Sequence, residues 1–382
     1  MNDIDLSIII INWKSAAFTR QCLASIYANA TGLSCEVIVV DNASYDGCEE
    51  MVKSAFPQVT FLQSDRNLGF AGANNLAFAH SQGRNVLFLN PDTEIQGAAL
   101  QNLVSSLESV PQAGMVGARL LNSDFTLQTT CVVALPSILN QALSSNYLRR
   151  TFPQWRIWGM SPLFAEGNTP LPVEAISGAC MMGKREAIEQ VGVFTTEYFM
   201  YSEDMDLCVK IAKAGWKIYY VPEARIVHHA AGSSSSREES NFSSIMLQES
   251  LTRFMEFHRG RLYANLYRVS TALIAACRLF LLVAAFPIAI HPRGYRFLSR
   301  ACSKWCGVLA WSATLTPWLR QQRLRPCPPS QEITAVEHDD GPHSSAAKPP
   351  LSVRSTGPSI TSSDCSANEP ATMCRPRVST DV

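Results

Sequence analysis

The sequence predicts a doubly wound α/β domain that takes a ligand at one edge of its sheet. Two observations carry this. Short apolar runs of strand length alternate with helical stretches through the first 220 of the 382 residues, the pattern of an open, largely parallel sheet covered on both faces. Two of those runs, Glu36-Val-Ile-Val-Val-Asp41 and Asn85-Val-Leu-Phe-Leu-Asn-Pro-Asp92, end in a carboxylate. Open α/β sheets bind ligands outside the carboxyl ends of their strands, so both acids fall at the expected mouth.

The elements follow in order. Residues 6–11, one Leu, one Ser and four Ile, read as a strand buried on both faces. Residues 15–30 read as a helix with Ser15 at its N-cap and Cys22, Leu23 and Ile26 on one face. Residues 36–40 form a second strand, Asp46-Gly47 a turn, and a helix reaches Ala55. A third strand covers 59–63. The loop Asn67-Leu-Gly-Phe-Ala-Gly72 leads into a helix from Asn74 to His80. A fourth strand covers 85–89 and a helix 97–109. Between 113 and 175 the pattern loses regularity, and 124–172 reads as an insertion. Ser177–Met182 is a predicted strand, Glu186–Val191 a short helix, Asp204–Ala214 a helix closed by Gly215, and Lys217–Val221 a strand.

Beyond residue 240 the chain turns helical, with a clear helical pattern over Ser243–His258. Thr271–Ile290 is mostly apolar and just long enough to span a bilayer, but Arg278 and Pro287 interrupt it. A mid-membrane Arg costs a few kcal/mol. Residues 250–325 carry twelve Lys or Arg and one acid, Glu256. These features favour a helix lying on an anionic membrane surface over a span or a core-packing helix pair. Residues 326–382, rich in Pro, Ser and Thr, have no apolar period and are predicted to be a disordered tail. The expected division is an α/β domain at 1–240, a helical membrane-associating region at 241–325 and the tail at 326–382.

Composition narrows the function. Net charge is formally zero, which argues against a nucleic-acid partner. Twelve scattered cysteines form no C-x-x-C pair, so a structural zinc site is not expected and a reducing compartment fits. The start has no basic segment before its first apolar run, so no cleaved signal is expected.

The chemistry is concentrated in four places. Asp41, at its strand end, suits a base N–H or ribose hydroxyl, although capping the next turn would also explain it. The loop with Gly69 and Gly72 suits close approach of a ligand to backbone, and the helix after it suits phosphate. It lacks the full dinucleotide fingerprint, and a plain turn would read the same. Asp92, just past Pro91, suits a hard cation such as Mg²⁺, which takes one or two carboxylates plus phosphate oxygens. Glu203, Asp204 and Asp206 crowd one helix start, more acid than the helix dipole alone requires, and one of them suits a general base. His228 or His229 could face a metal or a diphosphate, and the sequence leaves both open. The order points to transfer of a sugar from a nucleotide donor.

Taken together these segments resemble the family 2 glycosyltransferases, in particular their rhamnosyltransferase-like branch. The matching pieces are Ser7-Ile-Ile-Ile-Ile-Asn12, Val40-Asp-Asn-Ala-Ser44, Asn67-Leu-Gly-Phe70 with Asn74-Asn75, Leu89-Asn-Pro-Asp-Thr93, Ser177-Gly-Ala179, Glu203-Asp-Met-Asp206 and His228, over roughly residues 5–270. The resemblance implies a GT-A fold, a nucleotide-sugar donor and inversion at the anomeric carbon. It implies donor contacts from Asp41, Asn67, Gly69, Asn75 and Asp92, a Mg²⁺ or Mn²⁺ ion at Asp92 and His228, and Asp204 as catalytic base. Asn90 stands where the metal motif often has its first acid. It further implies dTDP-L-rhamnose as first-choice donor, a lipid-linked cell-surface glycan as acceptor, and work at the cytoplasmic membrane face. One departure is Gly192-Val-Phe-Thr-Thr-Glu197, where the family commonly has Gly-Gly-Phe-Asp-Glu. A sugar nucleotidyltransferase would carry a Gly-rich basic loop after the first strand, and Asn12-Trp-Lys-Ser-Ala16 has no Gly. A catalytically silent scaffold would be expected to lack Asp92 or Asp204.

Overall fold

The structure, a computed structural model, describes residues 4–229, 239–285 and 292–313. The predicted tail at 326–382 and the end of the apolar stretch at 286–290 lie outside them. The α/β portion runs β1 (Leu6–Asn12), α1 (Ala16–Asn29), β2 (Cys35–Asn42), α2 (Cys48–Ala55), β3 (Thr60–Ser64), α3 (Gly69–Ala79), β4 (Asn85–Leu89), β5 (Thr93–Ile95), α4 (Ala99–Ser109), β6 (Ala113–Leu121). It continues through β7 (Val132–Val133), α5 (Ile138–Ala142), α6 (Asn146–Thr151), β8 (Leu171–Pro172), β9 (Ala175–Ile176), β10 (Cys180–Lys184), α7 (Arg185–Val191), α8 (Glu203–Lys213) and β11 (Lys217–His228). Three helices follow: α9 (Glu239–Arg259), α10 (Arg261–Ala285) and α11 (Pro292–Ala313).

The main sheet has the order β3-β2-β1-β4-β10-β6-β11-β5, with β8 alongside β11. Strands β3, β2, β1 and β4 are parallel, and β10 is antiparallel to β4 and β6. All seven residues of β1 are buried, as its run of β-branched side chains predicts. Alternation sends Leu6, Ile8 and Ile10 to one layer with Cys22, Leu23 and Ile26 of α1, and Ile9 and Ile11 to the other with Ala71, Ala73 and Ala77 of α3. Each buried Ile contributes about 1.5–3 kcal/mol. Register sets Asn12 beside Asp41 and Asp41 beside Gln63, so the strand ends form one polar line.

Several boundaries differ from the sequence reading. Residues 113–121 form β6, an interior strand, where irregular structure was expected. Gly114 and Gly117 dilute its strand pattern, and packing on both faces overrides that weakness. Strand β11 runs on to His228 instead of stopping before Pro222, because a register shift between Val221 and Arg225 absorbs the proline as a bulge. Helix α3 starts at Gly69 rather than Asn74, and β10 starts at Cys180, leaving Ser177–Ala179 as a turn. Ser15 sits at the α1 N-cap without capping it, because its hydroxyl donates to Asn12 Oδ1 at 3.0 Å.

Helices α9 and α10 dock on the edge of α8 through Tyr198, Val209, Leu251, Phe254, Met255, Ala264 and Tyr267. His258 of α9 adds a buried polar contact, its Nε2 lying 2.7 Å from Asp206 Oδ1. By length and composition Arg261–Ala284 could cross a membrane, and little of it is buried in the protein.

Candidate functional site

At the end of β2, Asp41 is 1% exposed and fully hydrogen bonded. Its carboxylate accepts from Asn12 Nδ2 (2.8 Å), Gln63 Nε2 (2.9 Å), the N–H groups of Ser44 (3.2 Å) and Tyr45 (3.0 Å), and the Ser44 hydroxyl. Burial pushes against ionisation, but the donors from Ser44, Gln63, Tyr45 and Asn12 outweigh it and hold the carboxyl below its ordinary value. Asp41 and Gln63 line a cavity of about 250 Å³ with Tyr45, Gly47 and Cys48. Five hydrogen bonds to its two oxygens fix the carboxylate in the wall of that cavity. Asn12 and Gln63 escape a reading of the sequence, since neither belongs to an acidic run.

The loop after β3 is tied down from within. Asn67 Oδ1 accepts from Gly69 N–H at 2.8 Å and Asn42 Nδ2 at 3.0 Å, while Asn42 Oδ1 accepts from Leu68 N–H at 2.7 Å. Gly69 has φ +71°, and a Cβ there would lie 2.6 Å from the Phe199 carbonyl oxygen, so the loop tolerates only glycine. Phe70 N–H donates to that same carbonyl at 3.3 Å. The first two N–H groups of α3, expected to face phosphate, are therefore engaged by Asn67 and Phe199. The close approach at Gly69 is to the chain's own Phe199. Asn75 is likewise committed, donating to Phe194 O at 2.8 Å and accepting from Phe194 N–H at 3.0 Å. It clamps the Gly192–Glu197 segment onto α3.

Asp92 and His228 meet where the turn after β4 crosses the end of β11. His228 Nε2 lies 3.3 Å from Asp92 Oδ1 and 3.4 Å from Asn90 Nδ2, and its Nδ1 lies 2.8 Å from Gln128 Oε1. Successive residues of a strand point to opposite faces. His229 accordingly turns away, to Glu94 Oε1 at 2.9 Å and the Ser123 hydroxyl at 2.8 Å. Gln128 Oε1 can only accept, so His228 Nδ1 donates to it, which leaves Nε2 between Asn90 Nδ2 and Asp92 Oδ1. Nε2 and the Asp92 carboxylate, 3.3 Å apart, are two groups that could ligand one cation. Among the described residues no three His, Cys, Asp or Glu side chains cluster as a metal cage. A site with two protein donors suits a divalent ion that takes its other ligands from phosphate or water.

Helix α8 begins under strain. Tyr201 and Ser202 both have positive φ, +71° and +68°, and neither is glycine. Ser202 Oγ and Glu203 Oε2 are buried without a hydrogen-bond partner among the described residues. Burial, then the charges of Asp204 and Asp206, push Glu203 up to about 8. Asp204 is only partly buried; its Oδ2 accepts from Gly178 N–H at 2.9 Å and its Oδ1 from Met205 N–H at 2.8 Å. Desolvation raises its pKa above the ordinary value despite these bonds. Asp206 points elsewhere, accepting from the Thr195 hydroxyl at 2.6 Å and facing His258. Burial works against its charge, but His258, Thr195 and Lys210 keep it below the ordinary value. Of three acids that the sequence leaves equivalent, one is a structural anchor, one is buried, and Asp204 is left partly open.

The turn Ser177-Gly178-Ala179 joins the two halves. Gly178 N–H holds Asp204, and the next carbonyl but one in the chain sense, Ala179 O, accepts from Asn90 N–H at 3.0 Å. A Cβ on Gly178 would lie 3.3 Å from Asp204 Cβ, closer than side chains normally approach.

A mixed α/β sheet of this order, with carboxylates and a His gathered at its strand ends, defines a GT-A domain. The chain belongs to the family 2 glycosyltransferases: the model for glycosyl transferase family 2 matches residues 7–192, and that for glycosyl transferase family group 2 matches residues 118–318, over half of the chain. It is similar to the N-acetylglucosaminyl-diphospho-decaprenol L-rhamnosyltransferase of Mycobacterium tuberculosis, 28% identical over 61% of this chain and 78% of the relative. The rhamnosyltransferase WbbL of Escherichia coli is 27% identical over 42% of this chain and 61% of its own. Among solved structures, a mannosyltransferase from Pyrobaculum calidifontis in complex with GDP-Man and Mn2+ aligns over 81% of this chain and 86% of its own, at 16% identity and a TM-score of 0.49.

Proposed function

We propose that this glycosyltransferase moves a sugar, with L-rhamnose from dTDP-L-rhamnose as first choice, onto a lipid-linked cell-surface glycan, with inversion at the anomeric carbon. The observation that carries the reading is the Ser177–Ala179 turn, which ties Asp204 and the Asn90–Asp92 loop to one rigid piece of backbone. The names of the two rhamnosyltransferase relatives support the choice of sugar, and the first also supports a lipid-linked acceptor. Asp41 and Gln63 would take the base or ribose, and Asn67, Gly69 and Asn75 would shape the donor site by fixing its walls. Asp92 and His228 would hold Mg²⁺ or Mn²⁺, which supplies charge neutralisation at the departing diphosphate.

Asp204 supplies the base. Two of its lone-pair sites are taken by Gly178 and Met205 N–H groups, and the others are free for an acceptor hydroxyl. Its raised pKa strengthens it as a proton acceptor. As the proton passes to Asp204, the acceptor oxygen bonds to the anomeric carbon and the bond from that carbon to the diphosphate oxygen breaks. One displacement needs one base. A Glu203 that stays largely protonated near neutrality spares Asp204 a second adjacent anion. Residues 1–240 would be the catalytic part, and 241–325 would rest on the cytoplasmic face of an anionic membrane.

The test is nucleotide release from dTDP-, UDP- and GDP-sugars with Mg²⁺, Mn²⁺ or chelator, for wild type and Asp204→Asn. The expected result is metal-dependent release from one donor, with turnover in the variant reduced by roughly 10³-fold and donor binding retained. Wild-type turnover by the variant would remove Asp204 as base, and absence of donor binding would favour a silent scaffold.

A further inference from the structure

Helices α9, α10 and α11, with the segment from α5 to α6, enclose a cavity of about 350 Å³. Two cations, Arg278 and Lys304, stand in its wall, and no Asp or Glu does. Arg278 is held in position: Nη2 donates to the Ser144 carbonyl at 2.9 Å, and the guanidinium lies 4.4 Å from the centre of the Trp305 ring. Lys304 Nζ lies 5.6 Å from the same ring centre. Among the described residues neither forms an ion pair with a carboxylate. Two cations over one aromatic ring, with a fixed guanidinium edge and no counter-charge, form a receptor for an anion with several oxygens.

The rest of α10 indicates where that anion comes from. Leu262, Leu266, Val269, Leu273, Phe280 and Val283 are each at least 51% exposed. Their spacing of three, four or seven residues gathers them in one stripe. At 100° per residue the cavity-lining Thr271, Ile274 and Arg278 fall on the opposite side of the helix. An interfacial helix sinks its apolar stripe into the acyl layer and carries its other side at the level of the lipid phosphates. The excess of twelve Lys or Arg over one acid in residues 250–325 gives the region the matching charge.

We propose that this cavity takes the phosphate headgroup of an anionic membrane lipid while the α10 stripe rests in the acyl layer. The inference rests on the membrane reading above and adds to it a defined headgroup site whose lining does not include Asp204.

The test is co-sedimentation of the full chain with phosphatidylcholine vesicles, with and without phosphatidylglycerol. Wild type should bind the anionic vesicles about tenfold or more tightly than the neutral ones. Lys304→Gln, and more fully Arg278→Gln with Lys304→Gln, should cut that preference to about threefold or less. Arg259→Gln with Arg261→Gln, which removes the same charge outside the cavity, should preserve it. Among the described residues Lys304 makes no side-chain bond to backbone as Arg278 does, so the single variant keeps the test decisive if the double variant misfolds. Equal loss from the distal pair would overturn the headgroup site in favour of diffuse charge. Binding of inorganic phosphate that Lys304→Gln abolishes, with no wild-type preference for anionic over neutral vesicles, would assign the cavity to a soluble anion and overturn the lipid occupant. Binding to neither vesicle, above all with self-association through α10, would defeat the membrane reading itself. None of these readouts requires sugar transfer, so failure of the donor assignment would be seen separately.

Discussion

Two neighbouring residues, His228 and His229, look alike in the sequence and differ completely in the fold. His228 faces Asp92 and Asn90, whereas His229 bridges Glu94 and Ser123. His228→Gln should raise the metal concentration needed for half-maximal turnover by about tenfold or more, and His229→Gln should leave it unchanged. A metal titration of both variants decides, and equal effects would remove the distinction. Glu203 offers a second test. Its pKa, 4.5 ordinarily, stands at about 8 in the fold, so the folded state binds more protons than the unfolded state between those values. Its contribution to stability therefore falls as pH rises from 4.5 to 8. Glu203→Gln removes that dependence: it should be near neutral at pH 4.5 and stabilising relative to wild type at pH 8. Urea unfolding at both pH values measures this, and a pH-independent difference would refute it. The presence of these side chains could be read in the sequence. Their division of labour could not, because it depends on which neighbour each one meets.

At the level of elements, the start of α8 is a strained conformation near the site. Tyr201 and Ser202 occupy the left-handed region, and Ser202 Oγ is buried without a partner among the described residues. Non-glycine residues there cost on the order of 1–3 kcal/mol each. Ser202→Gly relieves both the backbone and the stranded hydroxyl, and should raise stability by about 1 kcal/mol. Calorimetry compares it with wild type, and destabilisation would show that the hydroxyl has a partner of value. The strands repay similar attention. Strands β1, β2 and β4 were legible because continuous apolar runs leave little else for the chain to do. Strand β6 was not, because Gly114 and Gly117 weaken its local signal and only its neighbours β10 and β11 make it a strand.

At the scale of the molecule, the question is how the C-terminal helices are tied to the α/β sheet. The docking surface is mainly apolar, with polar contacts that include His258 to Asp206 at 2.7 Å, the Ser250 hydroxyl to the Met200 carbonyl at 2.7 Å and the Ile138 N–H to the Tyr263 hydroxyl at 3.2 Å. His258→Ala leaves Asp206 with Thr195 and Lys210, so the fold should survive with a loss of roughly 1–3 kcal/mol. Hydrogen exchange should then localise the loosening to α9 and α10. Uniform protection across these helices, unchanged from wild type, would mean that the remaining contacts carry the docking without His258.

The sequence by itself determined the α/β class, the order of the main strands and the acids at their ends, because apolar periodicity and carboxylates at strand ends are local properties of a chain. Tertiary structure decided which polar groups meet. It turned Gly69 against Phe199 and Asn75 against Phe194, contacts between residues more than a hundred positions apart. It made Asp206 an anchor for α9 and left Asp204 facing the turn at Gly178. Such pairings require chain segments distant in sequence to be brought within hydrogen-bond range, and only the packed core fixes that geometry.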